Sequence, residues 1–138
     1  YNYGVNMRQK FSRTWNKSKQ PRKQRKYKFN APNHIRRKMI SAHLDKKLRE
    51  EYGRSIALRK GDEVKIMRGD HKGKQGKVVR IYLKKLKVYV ENVKHKKVSG
   101  QEVDFPLDAS NLKVISLNLE DKKRLKMLKR RKKTEVKK

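Results

Sequence analysis

Proton transfer and metal ligation at neutral pH fall first to histidine, and this 138-residue chain has four: His34, His43, His71 and His95. None stands at helical metal-ligand spacing from a second ligand. Asp62 and Glu63 are adjacent, so on a strand they point to opposite faces and cannot work as an acid–base pair. Asp104 and Asp108 flank a loop without the glycine pattern of a calcium loop. Local context suggests no Ser/His/Asp set. These groups read as solvated or capping residues, and no enzyme, cofactor, metal or small-molecule substrate is expected.

The remaining chemistry is that of cations presented to a polyanion. Gly69, Gly73 and Gly76 recur with Arg68, His71, Lys72, Lys74, Gln75 and Lys77 between and beside them. A nucleotide phosphate loop has different glycine spacing and opens a helix, whereas Val78, Val79 and Ile81 predict a strand here. The glycines instead allow a tight reversal that displays the basic side chains outward. A second basic stretch, Arg22, Lys23, Arg25, Lys26 and Lys28, is interleaved with Tyr27 and Phe29 and preceded by Trp15. It lacks usable apolar periodicity. We expect Tyr1–Lys28 to be disordered in the free protein and to order on RNA, where arginine and aromatic faces stack on splayed bases.

Composition supports that partner. The chain has 43 Lys+Arg against 13 Asp+Glu, a net charge of +30, and only 33% hydrophobic residues. A body so charged repels itself unless something neutralises it. Nucleic acid does so with phosphates in a dense line and gains counterion release. An anionic membrane surface is the competitor, but the tails lack the apolar moment of an interfacial helix. There is no cysteine, hence no disulfide or thiolate site. No apolar run approaches the roughly 20 residues of a membrane-spanning helix, and Arg8, Lys10 and Arg13 are not followed by the apolar core of a signal peptide. The expectation is a soluble intracellular protein without membrane insertion.

Tyr1–Leu44 contains no acidic residue, whereas the middle of the chain mixes charges and alternates apolar residues. Asn30 and Pro32 suggest the entry to a short helix, His34–Ile40, with Ile35 and Met39 docking and Arg36, Arg37 and Lys38 projecting. Ser41–Asp45 breaks it. A second helix follows over Asp45–Tyr52 and stops at Gly53. From Ile56 the period is two. Strands are expected through Ile56–Leu58, Val64–Ile66, Lys77–Leu83 (Val79 and Ile81 facing one way) and Leu86–Val93. A hairpin bending at Gly100 and a last strand over Leu112–Leu117 complete the set. Asn118 is expected to cap a C-terminal helix by accepting from the N–H of Asp121, with Leu125 and Leu128 as a narrow apolar stripe. The fold class is mostly β, a small barrel or sandwich. Residues 1–55 form a basic extension with two short helices, 56–117 the β module, and 118–138 a basic helix and tail.

The stretch Gly61-Asp62-x-Val64-x-Ile66-x-x-Gly69-x-x-Lys72-Gly73-x-x-Gly76-x-Val78-x-x-Ile81 resembles a KOW motif, which opens an SH3-like barrel in ribosomal proteins and transcription elongation factors. Before it come Lys19–Lys26, Asn30-Ala31-Pro32, Leu44–Gly53 and Arg54-Ser55. After it come Pro106, Ser110-Asn111 and the strand through Ile115. In this order they resemble the archaeal and eukaryotic form of the universal KOW-domain family of the large ribosomal subunit, twenty-fourth in bacterial naming and twenty-sixth in eukaryotic naming. The resemblance covers about Lys19 to Arg131.

What the resemblance implies is an rRNA-binding structural protein of cytoplasmic ribosomes, acting early in subunit assembly near the peptide exit tunnel. Its partners would be large-subunit rRNA and neighbouring ribosomal proteins. The RNA-binding residues implied are Arg22, Lys23, Arg25, Lys26, Tyr27 and Lys28, then His34, Arg36, Arg37 and Lys38. To these the loop adds Arg68, Gly69, His71, Lys72, Gly73, Lys74, Gln75, Gly76 and Lys77. Asp108-Ala109-Ser110-Asn111 departs from the family's His-Pro-Ser-like segment, so no contact is placed on Asp108 or Ala109. The alternative is a KOW-domain transcription or translation factor; that class usually carries a second folded domain, whereas both flanks here are basic tails.

Overall fold

Val64, Ile66, Leu112 and Val114 are each 0–1% exposed, and the two strands that carry them lie side by side at the centre of the sheet. The computed structural model describes residues 10–135. Expectations for Tyr1–Gln9, including the part of the disordered tail that falls there, lie outside the described residues.

In chain order the elements are α1 (Pro21–Asn30), α2 (Asn33–Met39), β1 (Ser41–Leu44), α3 (Lys46–Tyr52), β2 (Ser55–Ala57), β3 (Glu63–Ile66), β4 (Gln75–Tyr82), β5 (Lys87–Val90), β6 (Lys94–Lys96), β7 (Glu102–Asp104), β8 (Leu107–Asp108), β9 (Leu112–Ser116) and α4 (Lys122–Glu135). Seven strands form one sheet in the order β2-β1-β9-β3-β4-β5-β8, and β6 and β7 make a separate two-stranded ribbon. The class is therefore mostly sheet with several helices. Pairing ends at β2 and β8, so hydrogen bonds do not close the sheet into a barrel.

β3 carries its apolar residues at every second position, and they meet β9 antiparallel, Val64 opposite Val114 and Ile66 opposite Leu112. On its other edge β3 pairs with β4, Glu63 opposite Lys77 and Val64 opposite Gly76. In β4 the expected alternation fails. Val78 faces Val90 and Arg80 faces Tyr89, which leaves Val79 as one extra residue, a β-bulge. Val78 is buried and Val79 is 47% exposed, so the inward position passes from Val78 to Ile81 across the bulge. A strict period of two, with Val79 and Ile81 on one face, is corrected here.

Ser41–Leu44 is a strand rather than a helix-breaking linker. Ile40, Ala42 and Leu44 alternate and are buried, but the run is short and Ala42 is a weak strand former. Pairing on both sides decides it: Ala42 opposes Ile56 antiparallel, and Leu44 opposes Val114 in parallel. Asn30 closes α1 instead of capping α2, whose N-cap is Pro32.

The basic N-terminal stretch is also ordered where it is described. Arg13–Lys17 forms a 3-10 turn and α1 follows it. Lys, Arg and Gln are good helix formers, α1 has no β-branched residue, and Pro21 stands at its first position. The Gln24 side-chain amide then donates to the carbonyls of Trp15, Asn16 and Ser18 at 3.2, 2.8 and 2.7 Å, lashing turn to helix. No residue of α1 is buried. Local hydrogen bonds and propensity, which a charge-based reading omits, supply its order.

At the other end α4 is docked. Leu128 is buried, and so is Arg124, at 1% exposure. The Arg124 guanidinium meets Asp62, itself fully buried, through two parallel bonds of 2.5 and 2.8 Å. Asp62, expected to be a solvated or capping residue, also accepts from the backbone N–H groups of Arg59 at 2.8 Å and Asn118 at 3.0 Å. The N-cap reading shifts by three residues: Asn118 accepts from the N–H of Glu120, and Asp121 accepts from that of Lys123 at the true start of α4.

Arg124→Met would leave the Asp62 carboxylate buried with only backbone partners. We predict a loss of about 3–5 kcal/mol, read as a lower urea midpoint at unchanged slope; a loss under about 1 kcal/mol would show that the pair does not hold α4. A second prediction concerns acid. Asp45 pairs with Lys113 of β9 at 2.8 Å. That hydrogen bond, with a smaller contribution from the N–H of Lys46, holds the Asp45 carboxyl below its usual value of 3.8. A depressed folded-state value means the pair stabilises above the unfolded pKa and fades as pH falls through the folded one. Lys113→Gln should therefore lower the melting temperature at pH 7 more than at pH 2; equal shifts at both would contradict the linkage.

Candidate nucleic-acid interface

The loop between β3 and β4 owes its shape to backbone hydrogen bonds. The N–H of Gly73 donates to Ile66 at 2.8 Å, that of Ile66 to Lys74 at 2.9 Å and that of Lys72 to Gly69 at 3.0 Å. Gly73 has φ of 91°, which an L side chain rarely adopts. Gly76 serves differently. It lies in β4, where a Cβ would stand 2.8 Å from the Glu91 carbonyl oxygen, so glycine is needed there for close approach. Arg68, Lys72, Lys74, Gln75 and Lys77 are exposed on this scaffold.

His71 departs from the expected outward display. It is half-buried, its ring edge-on to Phe105 with centroids 5.1 Å apart, so it braces the loop against the segment after β7. Arg36 is a second correction. Its guanidinium donates to the Lys84 carbonyl at 3.2 Å and to the Phe29 carbonyl, tying α2 to the end of α1 and to the β4–β5 turn. It is a brace as well, whereas His34, Arg37 and Lys38 are exposed.

Arg22, Lys23, Arg25, Lys26 and Lys28 ring α1 and are all exposed. Tyr27 is half-buried and stacked on Phe11, centroids 5.4 Å apart at 28°, with Phe11 edge-on to Trp15 at 6.5 Å. Lys26 lies 5.7 Å from the Trp15 ring. Between the 3-10 turn, α1 and α2 opens a cleft of about 410 Å³ whose lining includes Arg13, Tyr27, His34 and Lys38.

The basic helices and the glycine loop meet a common segment. Asp108, Ala109 and Ser110 share a groove with Tyr27 and Lys28, and the Asn111 carbonyl accepts from the N–H of Met67 at the base of the loop. Asp108, on which no RNA contact was placed, instead pairs with Lys87 at 2.6 Å.

Sequence reasoning missed three features of this surface. Arg13 and Asn16 line the cleft, a role legible only once Gln24 has folded the turn onto α1. Arg80 lies over the Tyr89 ring at 4.4 Å, a cross-strand pair fixed by the bulge at Val79. Arg59 is drawn into the neighbourhood of Arg37 and Arg124; burial first, then those two charges, lower its pKa, while the Asp62 carboxylate opposes them.

Among the described residues no three His, Asp or Glu side chains gather as a metal site, and no helix is long and apolar enough to cross a membrane. Comparison with known proteins speaks to the whole arrangement. The model of the ribosomal protein family that is called L26 in eukaryotes and L24 in archaea matches residues 18–131, which takes in most of both basic flanks. The large ribosomal subunit protein uL24 of Haloarcula marismortui is 48% identical over 108 residues, 78% of this chain and 90% of that protein. Its counterpart in Methanospirillum hungatei JF-1 is 47% identical over the same shares. The chain therefore belongs to this family of eukaryotic and archaeal ribosomal proteins.

Proposed function

We propose that the chain is a structural constituent of the large ribosomal subunit in cytoplasmic ribosomes, not an enzyme, and that it holds rRNA through its basic helices and the β3–β4 loop. One observation carries this reading. Among the described residues no ion pair engages Arg22, Lys23, Arg25, Lys26 or Lys28 of α1, nor Arg68, Lys72, Lys74 or Lys77 of the loop. Positive charge left exposed and uncompensated on two adjoining surfaces is a docking surface for phosphate. Tyr27, His34, Arg37, Lys38 and Gln75 extend it. Gly69 and Gly73, open to solvent, bring backbone close to the partner, Gly76 lets β4 pack against Glu91 behind them, and His71 and Arg36 position the cations around them.

Residues 56–117 act as the anchoring module together with β1, which the sheet takes in from the 1–55 segment, and the basic stretches before β1 and over 118–138 face the RNA. We read the sheet as an SH3-like barrel left open between β2 and β8. Its support is one continuous core to which both ends contribute, Ile56 from β2 and Leu107 from β8. Phosphate contacts set position, and RNA shape with 2′-hydroxyls sets specificity. The resemblance to this family supports neighbouring ribosomal proteins as further partners, a place near the exit tunnel and binding early in assembly. The family match runs through both flanks, which speaks against an isolated KOW module of a transcription or translation factor.

Sedimentation of cell extract should leave the protein with the large subunit after a moderate-salt wash; free or polymerase-bound protein would overturn the reading. In the purified chain, Lys72→Gln with Lys74→Gln should flatten the dependence of log affinity for rRNA on log salt by about one unit per lysine. An unchanged slope would remove the loop from the interface.

A further inference from the structure

We propose that the cleft between the 3-10 turn, α1 and α2 receives a single unpaired nucleotide of RNA. The assignment rests on the rRNA-binding reading and adds to it a site that recognises one extruded base. The cleft, about 410 Å³ in volume, has the size of a small-ligand pocket. Tyr27, Ile35 and Met39 give it an aromatic and aliphatic floor; Arg13, His34 and Lys38 bring basic groups, and Asn16 one amide. Each part matches a part of a nucleotide. An aromatic face stacks on any base, the cations meet the phosphates on either side, and an amide can both donate to and accept from a base edge. No carboxylate lines the cleft, which fits an anion and not a metal or a cationic ligand.

The site is built in advance. Stacking on Phe11 fixes Tyr27, and the three bonds from Gln24 hold the turn that carries Arg13 and Asn16. A base inside a helix is paired and stacked, so only a bulged, looped or terminal nucleotide can enter. The exposed cations of α1 would grip the backbone without regard to sequence, and the cleft would choose where along it the protein stops.

The test uses the full chain and five RNA stems: one fully paired and four that each carry a single bulged A, C, G or U. At one salt concentration the chain should bind at least one bulged stem about tenfold more tightly than the paired stem. The pocket-filling Met39→Trp and Ile35→Trp should each abolish that preference while leaving paired-stem affinity within about twofold. Circular dichroism identifies a variant that has lost its helices, and the other variant then decides. Equal affinity of the wild type for all five stems overturns the proposal, as does a folded variant that keeps the preference or weakens all stems alike. Adenosine monophosphate equimolar with the RNA should not compete; competition would overturn assignment to a polymer. Absence of salt-dependent binding to any stem would instead overturn the RNA reading itself.

Discussion

Asp62 and Arg124 are opposite charges with almost no contact with water, held together by two hydrogen bonds. Around them the ends of three otherwise separate segments converge. Arg124 also donates to the carbonyls of Asn118 at 2.9 Å and Ala57 at 3.4 Å, and Asp62 accepts from the N–H groups of Arg59 and Asn118. The exit of β2, the entry of β3 and the link from β9 into α4 are thus fixed on one ion pair. A bare buried charge costs several kcal/mol, a large fraction of the roughly 5–15 kcal/mol by which domains are stable. Each partner is tolerable inside only because the other is there. The pair also sets geometry: it fixes the start of α4 where its guanidinium meets that carboxylate, and Leu128 buries the next turn.

This matters more in a chain of net charge +30 than it would in a neutral one. With few acids available, most cations must face outward, and the fold spends its carboxylates at joints. Asp45 holds β9 through Lys113, Asp121 meets Arg59 beside α4, Asp108 ties β8 to Lys87, and Glu51 reaches Lys132 across from α3. Most of these are exposed pairs of small individual worth. Among the described residues none of these pairs engages α1 or the β3–β4 loop, so the cations there face outward.

The glycine pattern and the alternation of Val64, Ile66, Val88, Val90, Leu112 and Val114 were readable because each depends on neighbours a few positions away. The features that were not readable depend on distant partners. Arg124 stands among Lys122, Lys123 and Lys126, and nothing local marks it as the one that goes inside. Ser41–Leu44 is a strand because Ile56 and Val114 flank it. His71 and Arg36 have the composition of contact residues and the surroundings of braces, since Phe105 and Lys84 lie far from them in the chain. In the N-terminal stretch the error ran the other way. Charge density suggested disorder, while Pro21, Gln24 and a run of good helix formers encoded a helix locally.

The parallel pairing of β1 with β9 joins His43 to Lys113, across most of the module. On a ribosome making this protein, residues 41–44 emerge long before the strand they need. Closing so long a loop is entropically costly and slow, so the central sheet completes only after β9 has been synthesised. The first turn and α1, held by contacts within a few residues, carry no such wait. Order of synthesis therefore exposes the basic end of the molecule while its body is still unfolded, and since so short a helix is only marginally stable alone, the first polyanion it meets can complete its order.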